Sequence, residues 1–424
     1  MHDRYTSGEM ARVWSDEAKL ARWREVELAV LGARVEAGEI STDILTAAEV
    51  IPAPSPREVA EVEADVRHDV VAFIYAWTAN MDDAAAREVH RDLTSSDIVD
   101  TAQALALTAA SDLILSATRR LLLALTGLAI AHRSTIYLAR THGQAAAPDV
   151  FGHRLADFAF AVDRARRRFR SAVEEIGVAN ISGPVGTGVG IGAEVPEFVA
   201  ARLGLRTAAV STQVVFRDGI AAWLCALAVM AGACEAIATE VRLGQQEAIL
   251  EIFEPAGERQ QGSSAMPHKQ NPIASENVCG LARVVRGYVS PVLEDVALWQ
   301  HRDISHSSVE RIVLPDAAAV TERLLITTSR IVEGLVVDAD AMRKNLLLAG
   351  SKAVSSRMLS TLLISGIDRR TATAQVAARV AAERSPNGSS ELDGAIAEVL
   401  ESSSLAKVFD DVLNLAERTR QLRE

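Results

Sequence analysis

From Asp16 to Ala37 the apolar residues Leu20, Trp23, Val26, Val30 and Val35 recur at roughly helical spacing, with acidic residues in the first turn and Gly38 after the last. The pattern predicts a helix with one buried face. Pro52, Pro54 and Pro56 then break the chain before a second helical stretch that contains Arg67, His68 and Asp69. Between Ser111 and Arg140, and again between Asp218 and Leu250, the pattern is helical, without proline, and the apolar face is wide. A helix of about 33 residues is near 50 Å long at ~1.5 Å rise per residue. Around Ile220 to Ile237 it is apolar on nearly every side, which predicts burial among other helices, including those of neighbouring subunits. The glycine-rich segment Ile181 to Ala193 follows no strand pattern and precedes no lysine, so it reads as a loop rather than a dinucleotide or phosphate fingerprint. A second loop runs from Pro255 to Pro272, and Ser385 to Ser390 is a polar linker within the last, short helical region.

Aromatic residues make up only 4% of the chain, which favours packed helices over strands, and 424 residues exceed a single core. An all-α protein of two or three domains is expected. The net charge of −12 excludes a general nucleic-acid binder, which needs a basic surface. Cys225, Cys234 and Cys279 fit no metal-ligand spacing and are expected to be reduced and buried. The stretch Met1 to Met10 lacks the basic and apolar regions of a secretory signal, so the expected location is cytoplasmic. No membrane span is expected either, because the longest uncharged run outside the glycine-rich loop, Gly219 to Cys234, is shorter than the ~20 residues a span needs.

The densest polar stretch is GSSAMPHKQNPIASE, Gly262 to Glu276, where serines, a histidine, a lysine, an asparagine and a glutamate crowd around a proline-bounded loop. Ordering such a loop is costly unless it has a function. It resembles the signature loop of the fumarase/aspartase superfamily, and the flanking motifs are similar to those of its adenylosuccinate lyase branch. In order they are RY at Arg4 and Tyr5, RHDVVAF at Arg67 to Phe73, VH with LTSSDIVDTA from Val89 to Ala102, and RTHGQ at Arg140 to Gln144. STQV at Ser211 to Val214, the signature loop, and LWQHRDISHSSVER from Leu298 to Arg311 complete the series. The resemblance implies a three-domain all-α fold whose long central helices assemble into a 20-helix core in a homotetramer, with active sites built from several subunits. The corresponding domains are 1–110, 111–345 with the signature loop at 255–276, and 346–424. No metal and no organic cofactor is implied.

Eliminating fumarate from an N-succinyl compound needs a base for the proton beside a carboxylate, an acid for the departing nitrogen, and donors for the carboxylates. By resemblance Ser263 is the base and His142 the acid, oriented by Glu276; Lys269 is a nearby cation that could activate the serine, and His68 joins this catalytic set. Thr94, Ser95, Thr141, Gln213, Lys269 and Asn271 match positions that hold the succinyl carboxylates. His90 matches a further active-site histidine, while Arg67, Asp69, Ser264 and Met266 flank these groups and are assigned to binding. Arg4, Tyr5, Arg302, Ser307 and Arg311 match the pocket for a nucleotide 5′-phosphate, to which the planar arginine fork is suited.

The branch usually reads THGxHAEPTTFG, whereas this chain has THGQAAAPDVFG from Thr141 to Gly152, with Ala145 and Ala147 in place of a histidine and a glutamate. Arg91 and Asp92 replace a tyrosine and a glycine, Phe216 replaces a glutamine and Gln270 an arginine. Retention of the phosphate set keeps elimination from adenylosuccinate as the first reading, with the related imidazole ribotide as a second substrate, and these departures support an alternative. The alternative is release of fumarate from a smaller N-substituted aspartate such as nitrosuccinate or hydrazinosuccinate. A non-catalytic helical scaffold would have no use for the complete acid/base set.

Overall fold

The computed structural model describes residues 2–256, 266, 269–383 and 390–422. Ser263, Ser264 and most of the polar linker lie outside the described residues. The chain forms two compact units, one of Met1–Leu115, Arg166–Ala231 and Arg283–Arg323, the other of Ser116–Ala165, Gly232–Ala282 and Leu324–Glu424.

The first unit opens with α1 (Gly8–Val13), α2 (Asp16–Glu36), α3 (Thr42–Glu49), α4 (Pro56–Val66), α5 (Asp69–Thr78) and α6 (Asp83–Glu88), followed by the start of α7 (Ser95–Ala131). In α2 the Ser15 hydroxyl accepts from the Ala18 amide at the N-terminus, and Gly38 closes the other end in the left-handed region. Its apolar face buries Leu20, Trp23, Val26 and Val30, and Trp23 meets Phe73 of α5 edge-on at 5.5 Å between ring centres. Truncating either ring to alanine would cost about 3–5 kcal/mol. The helix expected to run through Arg67 to Asp69 is instead two helices: Arg67 ends α4 with φ 54°, and His68 caps α5. Neither glycine nor proline marks this break.

The second unit contains β1 (Ile136–Thr141) and β2 (Gln144–Val150), an antiparallel hairpin leading into α8 (Phe151–Ile176). The helical expectation for Ser111 to Arg140 overran: α7 stops at Ala131, and the Thr135, Ile136, Tyr137 run, β-branched and aromatic, favours a pleated strand. Ile136, Leu138 and Val150 form a core with Leu346, Leu392 and Ile396. After α9 (Val195–Leu203), α10 (Asp218–Gly244) stops short of the expected Leu250, which itself takes φ 51°. The chain continues through α11 (Ile273–Gly287), α12 (Val289–Glu294), α13 (Ser305–Glu333), α14 (Ala339–Ala349), α15 (Ser355–Ile364), α16 (Arg369–Ala382), α17 (Ser390–Leu400) and α18 (Ser403–Gln421). Short strand pairs, Val178–Ala179 with Arg206–Thr207 and Ile252–Phe253 with Val336–Val337, pin loops.

Helices α7 and α10 are long and apolar enough to cross a membrane by length and composition, and 44% and 50% of their most apolar stretches are buried within one subunit. Cys234 and Cys279 are buried, while Cys225 is only half-buried, unlike the expectation for it. Burial pushes the Cys234 thiol to about 12, so it stays protonated and unreactive.

Candidate active site

The N-terminus of the 37-residue α7 carries Thr94 and Ser95, where free amides and the helix dipole favour an anion. Buried Asp97 organises this end: it accepts from the Thr94 amide at 2.7 Å and from the Ser182 and Gly183 amides at 2.7 and 3.1 Å. Burial raises its pKa although the three amides oppose that shift. The glycine-rich loop is thereby tied to the helix end. Gly186 lies at φ 83°, and a Cβ there would meet the Ser211 carbonyl oxygen at 2.1 Å, so the loop closes against the segment that carries Gln213. Gln213 donates to the Pro184 carbonyl at 3.1 Å and accepts from Arg302 at 3.0 Å. His90, at φ 61°, is held by buried Glu27 of α2.

Six of the expected residues, His68, Asp69, Ser95, Arg302, Ser307 and Arg311, line one cavity of about 100 Å³. Ser95 Oγ lies 3.4 Å from His68 Nε2. Arg311 donates to Asp69, and despite the opposing effect of burial this bond holds the Asp69 carboxyl below its ordinary range. The cavity rests on a buried charge cluster. Arg217 donates to both Asp100 oxygens at 2.8 Å and pairs with Glu310 at 2.9 Å, while Gln103 donates to Glu310 at 2.9 Å. Burial lifts Glu310 to about 7 against the pull of Arg217, and burial with the same arginine lowers His306 to about 4. Arg217 keeps its charge: burial opposes it, but Asp100 and Glu310 outweigh burial and raise its pKa.

In the second unit, His142 and Gly143 form the two-residue turn of the hairpin, at φ 54° and 72°, a left-handed turn whose twist suits antiparallel strands. His142 and Thr141 are therefore presented at an exposed tip. Lys269, Asn271 and Glu276 lead into and begin α11, whose first amides are held by buried Glu254: Ala274 and Ser275 donate to its carboxylate at 3.0 and 2.9 Å. Gln245 fixes the same corner, accepting from the Glu254 amide and donating to the Gln270 carbonyl. Among the described residues no hydrogen bond joins His142 to Glu276 within the subunit. Ala145 lines a cleft of about 990 Å³ with Arg140, whose guanidinium is paired to Glu251 at 2.7 and 2.9 Å. Phe216 is 65% exposed and borders a different cavity from that of Arg302 and Arg311.

Arg4 and Tyr5 sit on the turn Asp3–Tyr5 and do not line the 100 Å³ cavity; neither do Arg67, His90, Thr94 or Gln213. Met266 is exposed, and Ser263 and Ser264 lie outside the described residues. Glu27, Asp97, Asp100, Arg217, Glu254, His306 and Glu310 were not among the expected site residues. The signal was available for some: Asp97 and Asp100 stand about one helical turn apart on either side of Ile98 and Val99, a spacing that puts two charges on one helix face.

The chain and its architecture resemble known proteins. A family described as lyase matches residues 12–287. A Synechocystis sp. protein called adenylosuccinate lyase is 39% identical over 425 residues, covering 98% of each chain. Another of that name from Bacillus subtilis is 39% identical, covering 88% of this chain and 86% of its own. Among solved structures, a fumarate lyase from Mesorhizobium sp. BNC1 superposes with TM-score 0.85 at 24% identity over 98% of this chain and 99% of that one. A 3-carboxy-cis,cis-muconate lactonizing enzyme from Pseudomonas putida gives TM-score 0.83 at 24% identity over 98% of both, and these two likenesses concern the fold alone. With such identity along nearly its whole length, the chain belongs to the adenylosuccinate lyase family of the fumarase/aspartase superfamily.

Proposed function

We propose that this enzyme eliminates fumarate from adenylosuccinate and leaves AMP. The observation that carries the reading is the cavity that gathers Arg302, Ser307 and Arg311 beside His68 and Ser95. Two guanidinium forks and a hydroxyl suit a phosphate dianion, which a small N-substituted aspartate does not possess. In the reaction Ser263 takes a proton from the carbon beside the distal carboxylate, the C–N bond breaks as the new C=C bond forms, and His142 delivers a proton to the departing nitrogen. Lys269 and Asn271 hold a carboxylate, as do Thr94 and Ser95 at the helix dipole of α7. Activation of Ser263 rests on the nearby Lys269 charge.

The assembly that goes with this reading is a cytoplasmic homotetramer of three-domain subunits, 1–110, 111–345 and 346–424. The half-buried apolar surfaces of α7 and α10 support it, because such surface must find a partner helix. Exposure of His142 without a bond to Glu276 agrees with a site completed by another chain. The test is ultraviolet detection of AMP formation with fumarate assayed in parallel. Turnover of adenylosuccinate supports the reading; fumarate from nitrosuccinate or hydrazinosuccinate with none from adenylosuccinate would overturn it. Activity in an isolated subunit would overturn the shared site.

A further inference from the structure

Glu27 is a carboxylate inside an apolar core. It is 1% exposed on α2, between the buried residues Val26, Ala29, Val30 and Leu31. Such a group is tolerated only where its oxygens are fully used. Both serve one residue: Oε2 accepts from the His90 amide at 3.0 Å and Oε1 lies 2.7 Å from His90 Nδ1. A carboxylate only accepts, so Nδ1 carries the proton and the imidazole tautomer is set. The backbone bond acts at φ 61°, a conformation a histidine does not hold by its own preference. Two turns further along α2, the wholly buried Arg34 donates from Nη2 to the Arg91 carbonyl at 2.7 Å and to Asp92 at 3.3 Å, and Asp92 is also left-handed, at φ 63°. Three consecutive residues are thus fastened to one face of one helix. Asp97 at the start of α7 also interacts electrostatically with His90. Among the described residues Nε2 has no hydrogen-bond partner.

We propose that Glu27 is a positioning residue for His90: it keeps the proton on Nδ1 and leaves Nε2 as the one ring nitrogen that can bond to, or exchange a proton with, the substrate. The inference rests on the proposed function together with the resemblance that makes His90 a further active-site histidine. It separates Glu27 from a residue that merely stabilises a loop, because a tautomer lock acts only through the imidazole.

The test is a double-mutant cycle on the assembled enzyme with Glu27→Gln, His90→Asn and the pair combined, in which asparagine keeps a donor for Glu27 and tolerates the left-handed backbone. Glu27→Gln is expected to lower kcat/KM for adenylosuccinate about a hundredfold, chiefly in kcat, and to move the pH profile. In the His90→Asn background the same change should cost less than about threefold. An equal loss in both backgrounds, or parental rate and profile for Glu27→Gln, would overturn the proposal. If Glu27→Gln does not fold, Glu27→Asp replaces it in the cycle, with an expected loss that again vanishes without His90; a parental rate for it counts against the proposal. Nitrogen NMR of ring-labelled histidine reads the lock without turnover: His90, assigned by its disappearance in His90→Asn, should carry its proton on Nδ1 in the parent. A proton on Nε2 there refutes the lock, whereas a parent inactive on adenylosuccinate with the Nδ1 proton in place refutes only the substrate.

Discussion

Replacing Arg217 by methionine keeps the unbranched apolar stem and removes the charged guanidinium from the cluster beneath the cavity lined by Arg302 and Arg311. Asp100 then loses both 2.8 Å bonds and keeps the Val215 amide at 3.0 Å; Glu310 loses its 2.9 Å partner and keeps Gln103. Breaking a buried pair from one side costs about 3–5 kcal/mol, because the remaining charge is stranded. The pH decides where in that range the loss falls. Below about 7 Glu310 is already largely protonated in the folded enzyme, so near pH 6 the loss is chiefly that of Asp100. Near pH 9 the parent holds an ionised Glu310 against Arg217, whereas the variant must bury that charge alone or keep it protonated against the solvent. Urea unfolding at one protein concentration should therefore show a loss near ~3 kcal/mol at the lower pH and ~5 kcal/mol at the higher. A loss under about 1 kcal/mol at both values, the scale of a surface pair, would refute the reasoning, as would a loss independent of pH. KM should rise in the same variant, since the Val215 amide that Asp100 holds lies two residues from Gln213.

His142→Asn should lower kcat by about a hundredfold or more with KM near the parent's, checked by steady-state kinetics. His306→Asn tests opposing titrations. Glu310, raised from 4.5 to about 7, binds more protons folded than unfolded and makes stability fall as pH rises through that window. His306, lowered from 6.5 to about 4, binds more protons unfolded and makes stability rise between those values, so its removal should leave a steeper decline between pH 4.5 and 6.5 in urea titrations. Gly186→Ala places a Cβ 2.1 Å from the Ser211 oxygen at φ 83°. It should cost about 1–3 kcal/mol by urea midpoint and raise KM by shifting the segment that carries Gln213.

The parts legible in the sequence were those with a period or a motif. The face of α2, the apolar length of α10 and the loop character of Ile181 to Ala193 all followed from spacing. The break at Arg67 did not, because its signal is a left-handed residue without glycine, held by the cap that His68 supplies. The helical expectation ran through β1 to Arg140 for a related reason. Only the Thr135 to Tyr137 run and the His142–Gly143 turn argue for strands there.

The buried charges were the least legible, and the physics explains why they matter. The loops bearing His90, Gln213 and Asn271 have irregular backbone that apolar packing cannot orient, because dispersion and hydrophobic burial are non-directional. Hydrogen bonds to a charged acceptor are directional and about twice as strong as neutral ones. Glu27, Asp97, Asp100 and Glu254 each put a carboxylate under such a loop or its edge, and each accepts from backbone N–H groups there. Desolvation of these acids is offset locally by the amides of the segment that must be placed, so the cost of burial and the placement of the site are one interaction. The same logic accounts for Arg91 and Asp92. A left-handed position that usually belongs to glycine carries an aspartate here, and the buried guanidinium of Arg34 supplies the hold that glycine's backbone freedom would otherwise replace. Arg34→Met should thus loosen residues 90–92 and lower kcat/KM while leaving the Glu27 to His90 bond in place, and Asp92→Gly in that background should restore part of the loss. No recovery in the double variant, measured by kcat/KM against the single one, would show that the Arg34 to Asp92 contact does not compensate for the missing glycine.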